Sequence, residues 1–236
     1  MIFHVLETQL DRCNSVIPES FQDFLIYVVG SGFHAEENNL AGRHLVHEHF
    51  PDETFLGSEV GVIAVYGIGA IGSVVANDLK HLGFKVEGWS RTQKNICGVN
   101  CYSGENKFEV LLKNCDIHIC LLPLTPETTN IFNNSSFKMM KYGSCFINGG
   151  RGEQVVEGDL IENCKSGQIS SAILDVYCKE PLPKNSKLWE QENIRIWPHV
   201  AAETNPETAA KQIANAIKCI ENGKSPPNIV KRKLGY

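Results

Sequence analysis

The 236-residue sequence contains no Cys-x-x-Cys pair, no polybasic run, no secretory leader pattern and no long uninterrupted apolar helix. Each absence excludes a class. Its nine cysteines are odd in number and scattered, unlike a zinc ribbon or a secreted disulfide framework; they read as reduced cytosolic thiols, and no metal site is expected. A formal charge of −5, from 22 basic and 27 acidic residues, offers no footprint for nucleic acid or an anionic membrane surface. Met1-Ile-Phe-His-Val-Leu lacks a basic flank, and Glu7 cuts its apolar stretch short, so no signal peptide is expected. Val60 to Ala76 carries no charge, but its glycines divide it into strand, turn and helix, and a bilayer span needs ~20 apolar residues. What remains is ordinary soluble composition, 42% hydrophobic and 21% charged, enough for one large domain or two modest ones.

From residue 62 onward, β-rich runs alternate with segments of helical spacing. Strands are predicted at Val62–Tyr66, Lys85–Trp89, Ile117–Leu121, Ser144–Ile147, Ser171–Val176 and Ile194–Trp197. Helices are predicted at Ile71–Leu82, Phe108–Lys113, Val155–Lys165 and Pro206–Glu221. Short buried strands separated by helices imply a doubly wound, Rossmann-like parallel sheet of the α/β class. The first 60 residues are too polar for a core of their own. Phe21 to Leu40 has loose helical spacing weakened by Gly30 and Gly32, and Phe50-Pro-Asp-Glu-Thr reads as a linker. The expected organisation is a linking segment (1–60), a dinucleotide-binding domain (61–202) and a C-terminal helix with tail (203–236).

Gly67-Ile-Gly69-Ala70-Ile71-Gly72 closes the first strand and opens the first helix. The first glycine permits the tight turn, the second lets backbone approach a pyrophosphate, and the third allows close helix–strand packing. The exposed N–H groups of a helix start then favour phosphate charge. Strand before, helix after and repeated βα units favour a dinucleotide site over an ordinary turn. An NAD site places a carboxylate at the end of the second strand, whereas this chain has Ser90 there, followed by Arg91 and Lys94. A hydroxyl and two cations suit a 2′-phosphate. NADP(H) is the preferred cofactor, with NAD(H) second and a solvated basic loop as the bland alternative.

Arg151, Glu180 and His199 each stand at or just past a predicted strand end. In an open α/β sheet ligands collect outside the carboxyl ends of the strands, so all three can converge on one crevice. Taken singly, they also read as two surface charges and a loop histidine.

The stretches around them carry a resemblance. Asn148-Gly-Gly-Arg-Gly-Glu-Gln-Val-Val-Glu, Leu174-Asp-Val-Tyr-Cys-Lys-Glu-Pro-Leu-Pro and Pro198-His-Val-Ala-Ala resemble the D-isomer-specific 2-hydroxyacid dehydrogenases. Trp89-Ser-Arg-Thr-Gln-Lys, Leu121-Leu-Pro-Leu-Thr-Pro-Glu-Thr and Leu234-Gly-Tyr236 are similar to the glyoxylate/hydroxypyruvate reductase A group of that family. The resemblance runs from about residue 60 to the end. It implies a cytoplasmic, homodimeric, NADPH-dependent reductase of a small 2-oxo acid. Arg151 would bind the substrate carboxylate and polarise the keto oxygen. His199 would protonate that oxygen as the nicotinamide delivers hydride. Glu180 would hold the other imidazole nitrogen and keep the ring protonated. Asp175 would meet the nicotinamide side, Leu122 and Pro123 would line the adenine side, and Thr128 would lie close to the cofactor.

The departures are also legible. Gly150 stands where the family usually has alanine or serine, which predicts a looser backbone before Arg151. Ala64 replaces a strand glycine. Only about 60 residues precede the nucleotide strand, so most of the family's N-terminal substrate domain is expected to be missing, with activity impaired. A nucleotide-binding regulatory or scaffold protein without turnover is the alternative. A dehydrogenase of another substrate class is disfavoured by the ordered Arg–Glu–His set.

Overall fold

The computed structural model describes residues 61–201 and 206–230. Among these, the alternating pattern resolves into β1 (Val62–Tyr66), α1 (Ala70–His81), β2 (Lys85–Trp89), β3 (Asn100–Tyr102), α2 (Glu105–Asn114) and β4 (Ile117–Cys120). There follow α3 (Asn134–Met139), β5 (Ser144–Asn148), α4 (Glu157–Lys165), β6 (Ile169–Leu174), β7 (Ile194–Ile196) and α5 (Pro206–Glu221). The seven strands form one sheet in the order β3-β2-β1-β4-β5-β6-β7, every neighbour parallel. The chain winds outward from β1 in one direction and from β4 in the other. That reversal opens a crevice between the carboxyl ends of β1 and β4.

Strand periodicity sorts the core into two layers. Ile63, Val65, Ile117, Ile119, Ile147 and Ile173 face the side where α1 packs Val75, Ala76 and Leu79. Ala64, Tyr66, Cys120, Phe146, Leu174 and Ile196 face the other, against Leu111 of α2, Phe137 of α3 and Leu160 of α4. Both faces are covered, which is why the central strands read as continuous apolar runs rather than alternating ones.

Two elements differ from the sequence expectation by being present. β3 is a three-residue edge strand with no buried position, so neither length nor hydrophobicity marks it. α3 is short and polar, and it exists through its cap. Asn133 Oδ1 accepts the N–H groups of Ser135 and Ser136, while Ser136 Oγ accepts that of Asn133 at 2.7 Å. The cap is reinforced by Phe137, fully buried in the core. β6 begins at Ile169 and ends at Leu174, so Asp175 lies past the strand rather than in it. The expectations for residues 1–60 and for Leu234-Gly-Tyr236 fall outside the described residues.

Candidate active site

Each candidate site residue lies at or beyond the carboxyl end of a strand: the Gly67 turn after β1, Ser90 after β2, Leu122 after β4, Arg151 after β5, Asp175 after β6 and His199 after β7. Parallel pairing aligns these ends, so residues far apart in sequence meet along one edge.

The glycine turn is held by backbone alone. Gly67 adopts φ 104°, and its N–H donates to Trp89 O at 2.8 Å. A Cβ at Gly67 would overlap the Leu121 carbonyl just past the neighbouring parallel strand β4, and one at Gly72 would overlap Gly67 O. A Cβ at Gly69 would meet nothing within 4 Å. Two glycines therefore serve packing, and the third leaves space in front of the helix. No side chain caps the start of α1, and its first turn has no acidic residue, so the N–H groups around Ala70, Ile71 and Gly72 form a positive helix end suited to a phosphate. These residues fit a dinucleotide pyrophosphate.

At the end of β2, Ser90 is buried and its hydroxyl donates to Thr92 O at 2.7 Å. Ser90 shapes the loop, leaving Arg91 and Lys94 exposed beside it. The field of Arg91 reaches the exposed Glu127. The Glu127 carboxyl lies below its ordinary range, first through hydrogen bonds within its own turn and then through that cation. Thr128 spends its hydroxyl on its own loop, donating to Pro123 O at 2.7 Å and accepting from Thr125 N at 2.8 Å. It sets the path of the Leu122–Pro123 segment.

Arg151 sits on a loop with a dense internal network. Asn148 Oδ1 accepts the Gly150 N–H at 3.0 Å, and Asn148 Nδ2 donates to Arg151 O at 3.0 Å. The Arg151 N–H donates to Gln154 Oε1 at 2.8 Å, and its guanidinium to Gly150 O at 2.7 Å. Gly150 does not loosen this loop, contrary to the sequence expectation. A Cβ there would overlap Gln154 Oε1 and stand 3.0 Å from Leu122 O, so the missing methyl makes room for the amide.

Glu180 and His199 form a pair, with Nδ1 and Oε2 2.8 Å apart. The other Glu180 oxygen accepts the Tyr177 N–H at 3.1 Å. Desolvation pushes the Glu180 carboxyl up, but hydrogen bonds from His199 and Tyr177 and the charges of His199 and Arg151 hold it below its ordinary value. With Nδ1 committed, Nε2 is the ring nitrogen left to exchange a proton with a ligand. The imidazole is about half exposed, at 47%.

His199 has φ 58°, a left-handed conformation disfavoured for a side-chain-bearing residue. Its neighbours hold it there. Asp175 accepts the N–H of Val200 at 2.8 Å and that of Ala201 at 3.2 Å, and the His199 N–H donates to Trp197 O at 3.0 Å. Burial raises the Asp175 carboxyl above its usual range, and those two N–H groups pull it back. Asp175 thus anchors the histidine loop, and it also lines a recess with Asn148, Gly149, Ile173, Trp197 and Ala201. Two residues of the site were not singled out from the sequence. Tyr177 holds Glu180 through its N–H, and its hydroxyl reaches Trp197 O, two residues before His199. Gln154, fully buried, ties Arg151 to the Leu122–Pro123 segment. The second follows Arg151-Gly-Glu153, and no local pattern marks it as buried.

No group of three metal-ligating side chains occurs among the described residues, and no helix among them is long and apolar enough to cross a membrane.

Comparison with known proteins agrees with this geometry. Residues 32–201 match the family described as D-isomer specific 2-hydroxyacid dehydrogenase, NAD binding domain. Glyoxylate/hydroxypyruvate reductase A of Yersinia enterocolitica is 38% identical over 174 residues, covering 74% of this chain and 56% of that protein. The chain spans about half the length of the curated relatives it matches. A D-isomer specific 2-hydroxyacid dehydrogenase of Xanthobacter autotrophicus Py2, solved with NADPH and MES, superposes with a TM-score of 0.76 at 33% identity, covering 90% of each chain. An NADPH-dependent glyoxylate/hydroxypyruvate reductase of Sinorhizobium meliloti, solved with NADP and sulfate, gives 0.75 at 30% identity, covering 91% of this chain and 71% of that one. Sheet order, glycine turn and family match agree: this chain belongs to the D-isomer specific 2-hydroxyacid dehydrogenases, through their NAD-binding domain.

Proposed function

We propose that this chain binds NADPH and reduces a small 2-oxo acid, of the glyoxylate or hydroxypyruvate kind, to the 2-hydroxy acid. The observation that carries the reading is the 2.8 Å His199–Glu180 pair standing at the same sheet edge as Arg151 and the open Gly69 cradle. Bound there, the nicotinamide cofactor supplies the hydride. The start of α1 and the space before Gly69 receive the pyrophosphate. Arg91 and Lys94 take the 2′-phosphate, with no carboxylate at the end of β2 to repel it.

The remaining chemistry belongs to side chains. Arg151 uses one guanidinium donor on Gly150 O, and the planar group has donors left for the substrate carboxylate and keto oxygen. His199 delivers the proton from Nε2 to the keto oxygen as its carbon is reduced. Glu180 accepts at Nδ1 and so fixes which nitrogen carries the transferable proton. The names of the relatives support the substrate class, and the NADPH and NADP bound in the two structural neighbours support the cofactor.

The test follows NADPH oxidation at 340 nm with glyoxylate and with hydroxypyruvate, alongside His199→Ala. The expected result is turnover by the parent, loss of about 100-fold or more in the variant and unchanged NADPH affinity. A parent that binds NADPH and turns over neither acid would favour a nucleotide-binding protein without catalysis. A variant within a few-fold of the parent would remove His199 from the mechanism.

A further inference from the structure

Gln154 is fully buried, and its carboxamide spans two loops that emerge from different strands. Nε2 donates to Leu122 O at 2.8 Å and to Pro123 O at 3.1 Å, both beyond β4. Oε1 accepts the Arg151 N–H at 2.8 Å, beyond β5, and faces Cys120 Sγ at 3.2 Å. Burial holds the Cys120 thiol up to about 12, so it stays a donor. Two donors and two acceptor positions are thus all occupied, which is the full capacity of a primary amide. A carboxamide satisfied on every side in a dry site has one orientation, and moving either loop breaks bonds that water cannot replace. Gly150 completes the device, because any side chain there would displace the amide oxygen.

We propose that Gln154, with Gly150 making room for it, is a positioning residue that couples cofactor binding to the placement of the substrate arginine. A nucleotide seated against Leu122 and Pro123 restrains their carbonyls. Those carbonyls hold the amide, and the amide holds the Arg151 main chain from which the guanidinium projects. The inference rests on the cofactor and substrate placement proposed above. By linkage the effect is reciprocal: an anion on Arg151 tightens NADPH as much as NADPH tightens the anion.

The experiment uses the whole chain and two variants. Gln154→Met keeps the length and removes the bonds; Gly150→Ala keeps the glutamine and displaces its oxygen. Backbone amide exchange is measured with and without saturating NADPH, and oxamate binding is titrated in both states. In the parent, NADPH should slow exchange in the 121–124 segment, read at Leu121, Leu122 and Leu124 because Pro123 has no N–H, and at Arg151 together; oxamate should bind about 5-fold or more tighter when NADPH is present. In both variants, NADPH should still slow exchange at 121–124 and leave Arg151 unchanged, and the oxamate enhancement should fall to within about twofold. Both variants also weaken the Arg151 N–H bond to the amide oxygen, so exchange there rises even without NADPH; a local loss alone would leave the oxamate enhancement as in the parent, and that result overturns the coupling. Protection of Arg151 by NADPH in Gln154→Met equal to that in the parent overturns the coupling. So does a parent in which NADPH protects 121–124 and not Arg151. If NADPH protects neither segment of the parent, the cofactor placement itself falls, and the coupling with it. If oxamate fails to bind, the substrate reading falls alone, and exchange at Arg151 still decides whether the loops are linked.

Discussion

The roles of the second and third glycines of the turn are separable by adding one methyl group at a time. At Gly69 the backbone is extended (φ −95°, ψ −155°), and a Cβ meets nothing within 4 Å. Alanine there needs no rearrangement. It narrows the unfolded ensemble, worth about 0.4–1 kcal/mol in favour of folding, against a helix-capping loss of about 0.5–1 kcal/mol, alanine being a poorer N-cap than glycine. The net change should stay within about 1 kcal/mol, which for a chain of this size moves Tm by roughly 2–4 °C at most. At Gly72 the added methyl would overlap the Gly67 carbonyl, and backbone cannot swing aside as a side chain can. Overpacking of this kind costs about 1–3 kcal/mol or more, lowering Tm by several degrees. Binding should show the opposite order. The Gly69 methyl fills the space in front of the helix start, pushing a pyrophosphate off its N–H donors; losing two charge-assisted hydrogen bonds, at about 1.5 kcal/mol each, corresponds to a weakening on the order of 100-fold. Thermal melts and NADPH titration by fluorescence read both quantities on the same samples. Gly69→Ala binding NADPH within twofold of the parent would refute the cradle, and Gly69→Ala melting below Gly72→Ala would refute the packing assignment.

Arg91→Ala should weaken NADPH and leave NADH nearly unchanged, whereas Glu127→Gln, by removing the carboxylate that shares the field of Arg91, should tighten NADPH; equal responses to both cofactors in a titration would sink the 2′-phosphate assignment. His118 is fully buried with Nδ1 3.0 Å from the Tyr66 hydroxyl, and burial pushes its imidazole down to about 3. Between that value and the unfolded value near 6.5 the unfolded chain binds the extra proton, so stability falls as pH drops through this window, by about 2 kcal/mol from pH 7 to 5. His118→Leu should flatten that part of the pH dependence in urea melts, and an unchanged difference between pH 7 and pH 5 would contradict it. Tyr177→Phe, which keeps the main-chain bond to Glu180 and removes the hydroxyl bond to Trp197 O, should lower kcat by a few-fold to about tenfold, with NADPH affinity unchanged. A parallel loss of NADPH affinity would show instead that the sheet edge itself had moved.

Much was determined by local sequence. Helical and strand periods mark where apolar side chains must turn inward, so the central strands, buried on both faces, were legible as runs such as Val62–Tyr66 and Ile117–Leu121, the second one residue longer than the strand itself. The glycine turn was legible because its constraints are steric and lie within a few residues. Arg151, Glu180 and His199 were legible as strand-end polar residues set in recognisable motifs. Elements without such local signals were not. β3 is held by pairing with β2, and α3 by the Asn133 cap together with burial of Phe137. Only the tertiary structure decided how the site is built around its candidate residues. Parallel pairing carries Gln154 to the Leu122 and Pro123 carbonyls, 32 and 31 positions away in sequence. It sets the Asp175 carboxylate under the amides of Val200 and Ala201, holding His199 in a left-handed turn. It also turns the glycine at 150 from apparent slack into the space that an amide requires. Sequence spacing encodes which face a residue takes, whereas hydrogen bonds between loops of different strands depend on the register in which those strands pair.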